Sequence, residues 1–511
     1  MDLRKIISLL MVSVLMLIGS GCSDDAAVKD GQTESSTQNA GLPPATLTFL
    51  ITGEEKDDSR EVLDRVAEKS GLNIKLDFKY FSDIYFRQVK TMIESGQKFD
   101  ALYVGMPESY DMSKDSSSYV EMARSGVLKD ITDLLPEYAP HIISQFDPKD
   151  LEAAKIDGRL YAVPSLFPEA KNISIILDAD LVRKYDIGPV NTFEDYGVFL
   201  KTIKDNEKDI IPGQVSLYDE EMFMLPYGYI LMDRALSLVY KGDDPDMKIV
   251  PWERTEEFRN VMSLLYDWQK NGYLARYDDG IEKTRASFLN LGGALKDGPD
   301  KMVLSGLKGS RVYEYYSYIM YKGVKLPRVN PMGNVFQKGA IALSANSGNA
   351  ERTLMFLDWV QSSQENYDLL MYGIKDKHYT LEGDKLVFPA EEESGYPSYW
   401  HWLNSPFRNI NYSRASTNEE YGADGFRNDL RAYMTERTFS APHAGFYPDY
   451  RAVKAAADKR ADLYQAWVTF AFVQEKFDPG QIDLIIQDLT RVGTDEIVNE
   501  IQRQLDQWRG R

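Results

Sequence analysis

Residues 397–406 form a loop-like stretch whose side chains suit the binding of a sugar. The sequence PSYWHWLNSP places Trp400, His401 and Trp402 together and adds Asn404 two residues later. A sugar has C–H-rich faces that stack on flat rings, and hydroxyl edges that bind amide or ionised side chains. We therefore predict that these residues contact a sugar. The alternative is that the loop packs on the body as a small satellite core.

Further candidate ligand-binding residues lie where predicted strands end and loops begin. They are Glu54, Tyr80, Phe81, Asp83 and Tyr103, and Tyr227 in the segment LPYGYIL is a separate candidate. Ligands of open α/β sheets bind outside the carboxyl ends of parallel strands, which favours these positions. For the tyrosines the competing interpretation is core packing, because most aromatic side chains are buried. Asp100 and His378 are each open to a structural role or a role near the ligand.

Residues that commonly carry catalysis are sparse. The four histidines, His141, His378, His401 and His443, show no metal-pair spacing, and Cys22 is the single cysteine. No nucleophile-elbow, zinc-protease, phosphate-loop or EF-hand motif occurs. We predict no catalytic residue, no metal ligand and no cofactor. Two possibilities stay open: a carboxylate pair for glycoside hydrolysis, and a calcium ion at Asp243–Asp246 or Asp278-Asp279.

The amino terminus predicts export. Arg4 and Lys5 precede an apolar run over 6–18, and Gly19-Ser20-Gly21 leads to Cys22. A basic start, a short apolar core and small residues make a secretory signal, and the core is too short for a spanning helix. The stretch resembles the bacterial lipobox, which implies that Cys22 carries fatty acyl chains such as palmitate. We assign 1–21 to the signal peptide and 22–45, which is polar and small, to a flexible tether.

The charge narrows the choice of partners. Seventy-nine acidic and 59 basic residues give a formal net charge of −20. Nucleic acid requires a basic surface, so we predict no nucleic-acid partner. The single cysteine excludes an intramolecular disulfide, and a chain of 511 residues can bury a large core instead.

Strand and helix patterns alternate from residue 46 onward. Thr46–Ile51 predicts a buried strand, and Asp58 and Glu61 are spaced as a capping box for a helix. Ile74–Tyr80 alternates with period two, and Phe99–Val104 predicts a third strand. This order predicts a parallel sheet with right-handed crossovers. Further helices are predicted at Thr192–Ile203, Thr255–Asn271, Asn349–Gln361, Ser362–Tyr372 and Thr494–Trp508, and a hairpin at His378–Phe388.

The order and spacing of five segments carry a resemblance to a known family. The segments are FDALYVG (99–105), GVLKDITDLLPEYAP (126–140), DGRLYAVP (157–164), GAIALSANSGNAERTLMFLDWVQSSQENYDLLMYGI (339–374) and KDKHYTLEGDKLVFP (375–389). Together they resemble the extracellular solute-binding proteins of ABC importers, the group that includes maltose-binding protein. More closely, they resemble long lipoprotein members from Gram-positive bacteria that carry an extra C-terminal domain.

The resemblance implies an α/β, two-lobed, periplasmic-binding-protein-like (type II) fold with discontinuous lobes, a hinge and additional C-terminal helices. Lobe I would comprise 46–163 and 339–377, and lobe II would comprise 164–338 and 378–511. Residues 163–165 would cross between the lobes.

The resemblance also implies a function. The chain would be a substrate-binding lipoprotein, anchored at the extracellular face of the cell membrane and monomeric. It would capture a small-molecule solute, an oligosaccharide, by hinge closure and deliver it to ABC permease subunits without acting as an enzyme. The alternatives are an exported glycan-active lipoprotein enzyme and a ligand-sensing receptor lipoprotein.

Overall fold

The structure is a computed structural model of the chain. It describes residues 41–81, 85–105, 119–166, 174–215, 221–275, 284–288, 298–303, 312–321, 323–328, 339–389, 395–396, 406–415, 423–473 and 478–510. From Pro43 onward the described residues belong to one compact unit.

The described elements are numbered here in chain order. The strands are β1 (Ala45–Thr52), β2 (Ile74–Phe81), β3 (Ala101–Val104), β4 (Ala162–Pro164), β5 (Ser174–Asp178), β6 (Tyr229–Asp233), β7 (Leu238–Lys241), β8 (Val250–Pro251), β9 (Ala286–Phe288), β10 (Gly298–Val303), β11 (Val312–Ile319), β12 (Leu326–Arg328), β13 (Ala340–Leu343), β14 (Thr380–Glu382), β15 (Lys385–Val387) and β16 (Thr438–Ser440). The helices are α1 (Ser59–Ser70), α2 (Tyr85–Glu94), α3 (Tyr119–Arg124), α4 (Leu134–Tyr138), α5 (Pro140–Gln145), α6 (Pro148–Ala153), α7 (Ala179–Lys184), α8 (Phe193–Asn206), α9 (Glu221–Met224), α10 (Glu256–Lys270), α11 (Ala350–Val360), α12 (Gln364–Tyr372), α13 (Ala423–Arg437), α14 (Lys454–Val473), α15 (Ile482–Arg491) and α16 (Thr494–Arg509).

The first hydrophobic core, core 1, contains buried residues between Leu47 and Val163 and between Ala340 and Phe407. A five-stranded sheet in the order β2-β1-β3-β13-β4 lies at its centre. β1 pairs in parallel with β2 and β3, so the parallel sheet predicted from the sequence is confirmed for these strands. β13 runs antiparallel to β3 and β4. The register sets Ala340 opposite both Val104 and Pro164, which brings three strand ends together. Side chains such as Leu47 and Phe49 of β1 have no exposed surface.

Some helices begin where a side chain accepts a hydrogen bond from their free N–H groups. The predicted capping box of α8 is confirmed: Thr192 Oγ1 accepts from the Asp195 backbone N–H at 3.1 Å, and the Asp195 carboxylate accepts from the Thr192 N–H at 3.0 Å. The box predicted at Asp58 is wrong. Its carboxylate makes no capping bond to α1, because it lies 3.1 Å from Nε2 of His378 and 3.1 Å from Nζ of Lys377.

Two further hydrophobic cores lie beyond core 1. Core 2 surrounds the antiparallel sheet β10-β11-β5-β9 and helices α8 and α10, and includes Phe193 and Trp268. Core 3 lies between the sheet β6-β7-β8 and helices α14 and α16. Helix α14 joins these two cores, since Ala461 packs in core 3 and Trp467 in core 2.

The segment after residue 378 differs from its predicted place. The sequence assigned 378–511 to lobe II, whereas Tyr379, Leu386, Tyr396 and Phe407 pack in core 1. The predicted hairpin is confirmed as β14 and β15, and its Leu386 is 1% exposed. Apolar side chains on the hairpin and on the segment that follows it therefore hold this stretch on core 1. The lobe boundaries themselves stay predictions.

Arg460 and Glu253 form a buried ion pair that connects four segments around core 3. Both side chains have 0% exposure, and Nη1 and Nη2 of Arg460 each lie 2.9 Å from a carboxylate oxygen of Glu253. Nε and Nη2 also donate to the Leu236 carbonyl oxygen, at 3.0 and 2.8 Å, and Nη1 donates to Thr494 Oγ1 at 2.8 Å. All five guanidinium N–H groups therefore have acceptors, which compensates the buried charge.

The Arg460→Met substitution tests this pair. We expect the free energy of unfolding to fall by about 3 to 5 kcal/mol, because Glu253 is left as an uncompensated buried charge. Urea unfolding followed by circular dichroism measures the loss. The matched control is Arg503→Met, which removes an exposed arginine paired with Glu500 on α16 and should cost less than about 1 kcal/mol. Equal losses in the two variants would contradict a special role for the buried pair.

Candidate functional site

The carboxyl ends of β1, β2 and β3 lie together at one edge of the sheet of core 1. The Gly53 backbone N–H, just after β1, donates to the carbonyl oxygen of Phe81, the last residue of β2, at 2.9 Å. Because Ala340 lies opposite Val104 and Pro164, the chain also leaves core 1 and returns to it at this edge. We call it the crossing edge. It is the place where an open α/β sheet binds ligands.

Three of the predicted residues lie at the crossing edge with part of their surface accessible. Glu54 is exposed in the loop after β1, and its carboxylate is 3.9 Å from Nζ of Lys56. Tyr80 and Phe81 end β2 and pack half-buried against core 1. Burial raises the pKa of the Tyr80 phenol, and its hydroxyl oxygen is buried. The carboxylate of Glu54 and the aromatic side chains of Tyr80 and Phe81 therefore lie at the same edge of the sheet.

Tyr103 lies deeper at the same edge. It is 3% exposed, and its ring centroid is 5.7 Å from that of Tyr85. Gly339 passes so close that a Cβ atom there would lie 2.2 Å from the Tyr103 ring and 2.5 Å from the Val104 carbonyl oxygen. Because Gly339 has no side chain, the chain that returns to core 1 packs directly against the Tyr103 ring. Its contact with a ligand stays a prediction.

Tyr227 is a predicted site residue that lies on core 2. It ends a 3₁₀ turn, Leu225–Tyr227, and packs half-buried against core 2. Lys241 Nζ holds this turn by donating to the Tyr227 carbonyl oxygen at 2.7 Å and to Glu257 at 3.1 Å, and it lies 3.8 Å from the centroid of the Tyr229 ring. Burial raises the pKa of Tyr227, and the negative charges of Glu194 and Glu257 raise it further.

Tyr321, which the sequence analysis missed, marks where the chain leaves core 2. It follows β11, its backbone N–H donates to the Asn191 carbonyl oxygen at 2.7 Å, and its hydroxyl accepts from the Phe193 N–H at 3.2 Å. Burial raises the pKa of Tyr321, and Glu194 and Tyr227 add to the rise. The Phe193 ring centroid lies 5.3 Å from that of Phe223 and 5.2 Å from that of Tyr321, so the turn that follows Phe223 and contains Tyr227 lies in the same part of core 2 as Tyr321.

Residues 406–415 form the junction segment, which contacts both cores. Phe407 packs in core 1, with its ring centroid 6.3 Å from that of Phe78, whereas Ile410 packs in core 2. The Ile410 N–H donates to the Leu166 carbonyl oxygen at 2.9 Å, just beyond β4. The junction segment therefore runs beside the crossing chain.

Asn409 is the centre of a buried amide network in the junction segment. Its side chain has no exposed surface, and Nδ2 donates to Oε1 of Gln145 at 2.9 Å and Oε1 of Gln361 at 2.8 Å. Its Oδ1 accepts from the Asn411 N–H at 2.8 Å. Gln145 ends α5 and Gln361 follows α11, so one side chain fixes the junction segment to two helices of core 1. Sequence reasoning missed Asn409, because asparagine in a loop is usually exposed.

Several predicted residues lie outside the described part of the chain. They are Cys22, Asp83, Trp400, His401, Trp402 and Asn404. The described residues on either side of the aromatic stretch are held on core 1. Tyr396 is 1% exposed and donates its hydroxyl to the Leu370 carbonyl oxygen at 2.7 Å, and Phe407 packs near β1 and β2.

The described residues contain no group of three or more His, Cys, Asp and Glu side chains placed to hold a metal ion. The acidic stretch at Asp243–Asp246 is engaged in a turn: Asp244 accepts from the Asp246 and Lys248 N–H groups, each at 2.9 Å, and Asp246 pairs with Arg509 at 3.3 Å. Asp278-Asp279 lies outside the described residues. In the part of the chain that the structure covers, no helix has the length and apolarity needed to cross a bilayer.

Comparison with known proteins agrees with this architecture. No protein-family model matches the chain. Over 491 residues it is 21% identical to a carbohydrate ABC transporter substrate-binding protein of Streptococcus pneumoniae serotype 4, with 92% of each chain covered. The crystal structure of the N-glycan transport solute-binding protein NgtS from Streptococcus pneumoniae matches with a TM-score of 0.67 at 19% identity, covering 91% of this chain and 99% of that one.

An HMO-binding, ABC-transporter-associated solute-binding protein from Bifidobacterium longum infantis also matches. Its TM-score is 0.58 at 14% identity, over 91% of this chain and 99% of that one. The chain has the fold of the solute-binding proteins of ABC transporters. The resemblance noted in the sequence and the predicted two-lobed α/β fold class are thereby confirmed.

Replacing Asn409 by alanine tests the junction network of this solute-binding fold. We expect the free energy of unfolding to fall by about 2 to 3 kcal/mol, because the amide oxygen of the buried Gln361 loses its donor and Oε1 of Gln145 keeps only Asn411 Nδ2. Urea denaturation measures the change. Asn206→Ala is the control, because Asn206 is an exposed asparagine of α8 whose Nδ2 donates only within its own helix, to Thr202; its effect should stay within about 0.5 kcal/mol. A loss as small in Asn409→Ala would rule out the network as a fixed joint.

Proposed function

We propose that this chain binds an extracellular oligosaccharide between its two lobes and presents it to an ABC permease. One observation carries the proposal. Glu54, Tyr80 and Phe81 lie at the crossing edge of core 1, and Tyr227 packs against the part of core 2 that contains Tyr321, after which the chain leaves core 2. A ligand that contacts residues on both sides of the crossing segments stabilises the closed arrangement that a hinge motion produces.

The relatives support a glycan as the solute. NgtS from Streptococcus pneumoniae has also been crystallised in complex with Man1GlcNAc, and that structure matches this chain with a TM-score of 0.61 at 19% identity. The carbohydrate transporter protein of the same organism matches over nearly the whole length. The aromatic rings of Tyr80 and Phe81 and the carboxylate of Glu54 suit the C–H faces and hydroxyls of a sugar. We extend this assignment to the predicted Trp400, His401, Trp402 and Asn404.

The same reasoning favours binding without turnover. The relatives are named as binding proteins, and the sequence carries neither a nucleophile-elbow nor a zinc-protease motif. A monomer that closes on its solute and reopens at the permease requires no chemical step. A glycan-active enzyme would instead release shortened products.

Titration calorimetry against a panel of oligosaccharides tests this function. Wild-type protein should show saturable binding, and chromatography of the same mixtures should return the glycan unchanged. We expect Trp400→Ala to weaken binding by about thirtyfold or more, because truncating an anchoring tryptophan costs about 2 kcal/mol. Trp508→Ala is the control, since Trp508 packs against Phe446 in core 3, and it should leave the affinity unchanged. Shortened glycan products would replace the binding function with an enzymatic one.

We further propose that acylation of Cys22 anchors the chain at the outer face of the cell membrane. The support is the basic start, the apolar run and the small residues before the single cysteine. The tether would keep the binding site within reach of the permease and raise its effective concentration there. Growth with an alkyne-bearing fatty acid should label the wild-type protein and leave Cys22→Ala unlabelled. Equal label in both proteins would remove the anchor from this account.

A further inference from the structure

A buried histidine and a partly exposed carboxylate, His378 and Asp58, hold three segments together at the crossing edge. His378 is 2% exposed, and its Nε2 is 3.1 Å from Oδ2 of Asp58. The Ile374 backbone N–H donates to His378 Nδ1 at 2.9 Å. A ring nitrogen that accepts a hydrogen bond carries no proton, so the proton lies on Nε2 and points at Asp58. The ring therefore connects the backbone after α12 to the start of α1.

Lys377 completes the charge balance of this pair. Its Nζ lies 3.1 Å from Oδ1 of Asp58 and 2.5 Å from Oε2 of Glu61. The hydrogen bonds from His378 and then Lys377 hold the pKa of Asp58 below its usual value. Asp58 is thus an anion with a donor on each oxygen, which strengthens both hydrogen bonds.

Two glycines allow the backbone to approach the pair. Gly373 has φ +88°, and a Cβ atom there would lie 2.6 Å from Nδ1 of His378. A Cβ atom on Gly395 would lie 2.1 Å from Oδ2 of Asp58, and the Asp58 N–H donates to the Gly395 carbonyl oxygen at 2.7 Å. Side chains at these positions would push the imidazole and the carboxylate out of place.

The pair borders residues assigned to the solute site. Asp58 ends the loop that begins at Gly53 and carries Glu54. The ring centroid of Tyr396 is 5.5 Å from that of His378, and the Gly53 N–H at the start of the loop donates to the carbonyl oxygen of Phe81, at the end of β2, at 2.9 Å. The loop after β1, the end of β2 and the segment 395–396 therefore meet around this pair.

We propose that Asp58 and His378 are positioning residues of the solute site. They fix the loop 53–58 against Gly395 and Tyr396 before any ligand arrives, so that Glu54 and Tyr80 are already in place. The proposal rests on the proposed oligosaccharide-binding function. Preorganisation raises affinity because binding no longer has to order these segments.

Two substitutions at one position separate positioning from bulk stability. His378→Asn keeps an oxygen near the Ile374 N–H and is too short to reach Asp58. His378→Gln carries an amide N–H that extends to Asp58. We expect the asparagine variant to exchange the amide hydrogens of 53–58 faster in the ligand-free protein. It should also bind the glycan about tenfold more weakly, which corresponds to the loss of one hydrogen bond. The glutamine variant should remain within about threefold of wild type.

Asp100→Asn is the stability control. Asp100 lies at the opposite edge of the same sheet, where its carboxylate accepts from the Thr48 N–H at 2.9 Å and from Ser347 Oγ at 2.6 Å. This variant should lower the thermal stability and leave both the exchange of 53–58 and the glycan affinity unchanged. Affinity that merely follows stability across all three variants would overturn the proposal.

The exchange measurement separates this proposal from the proposed function. Unchanged exchange of 53–58 in His378→Asn would overturn the positioning role, whatever the glycan results. Faster exchange with unchanged affinity would also overturn it, because the fixed loop would not matter to the ligand. If wild-type protein binds no glycan, the oligosaccharide function fails, and the exchange measurement still decides whether the pair fixes the loop.

Discussion

The register of β13 between β3 and β4 is the constraint on which the rest of the structure depends. Because Ala340 lies opposite both Val104 and Pro164, the chain leaves and re-enters core 1 at the edge where β1, β2 and β3 end. That edge carries loops instead of strand pairings, and loops on a rigid sheet are where binding residues concentrate. Glu54, Tyr80 and the Asp58–His378 pair all lie there, so the same strand pairing sets the crossing and the proposed solute site.

Two other regions determine how the cores can move. The junction segment contacts core 1 through Phe407 and core 2 through Ile410. Farther along the chain, Phe446 packs in core 3, while the adjacent Tyr447 packs against core 1 and donates its hydroxyl to the Ala153 carbonyl oxygen. A rotation of core 2 about core 1 would therefore act on the junction segment and on the Tyr447 contact. Core 3 moves with core 2, because α14 contributes side chains to both and the Arg460–Glu253 pair fixes α14 to its neighbours.

The sequence predicted what depends on local patterns and missed what depends on long-range contact. The alternation of Ile74–Tyr80 and the Thr192 capping box involve neighbours in sequence, and both are confirmed. Asp58 has cap spacing, yet its carboxylate binds a histidine 320 residues away, which no local pattern reveals. The buried Asn409 was missed, and the burial of Tyr103 was left as one of two interpretations, for the same reason: partners such as Gln145 and Gly339 are far along the chain. The family resemblance supplied the two-lobed fold, since its motifs span these distances.

Closure of the two lobes around a solute is the central claim, and a distance measurement between them tests it most directly. A chain that begins at Ser23 lacks Cys22, so cysteines introduced at Lys90 on α2 and Val198 on α8 can carry spin labels; Lys90 is exposed and Val198 is 64% exposed. Double electron–electron resonance would give the distribution of distances between the two labels, one on core 1 and one on core 2. We predict that saturating oligosaccharide shifts this distribution to a single narrower population. An unchanged distribution in a sample that calorimetry shows to be saturated would contradict closure.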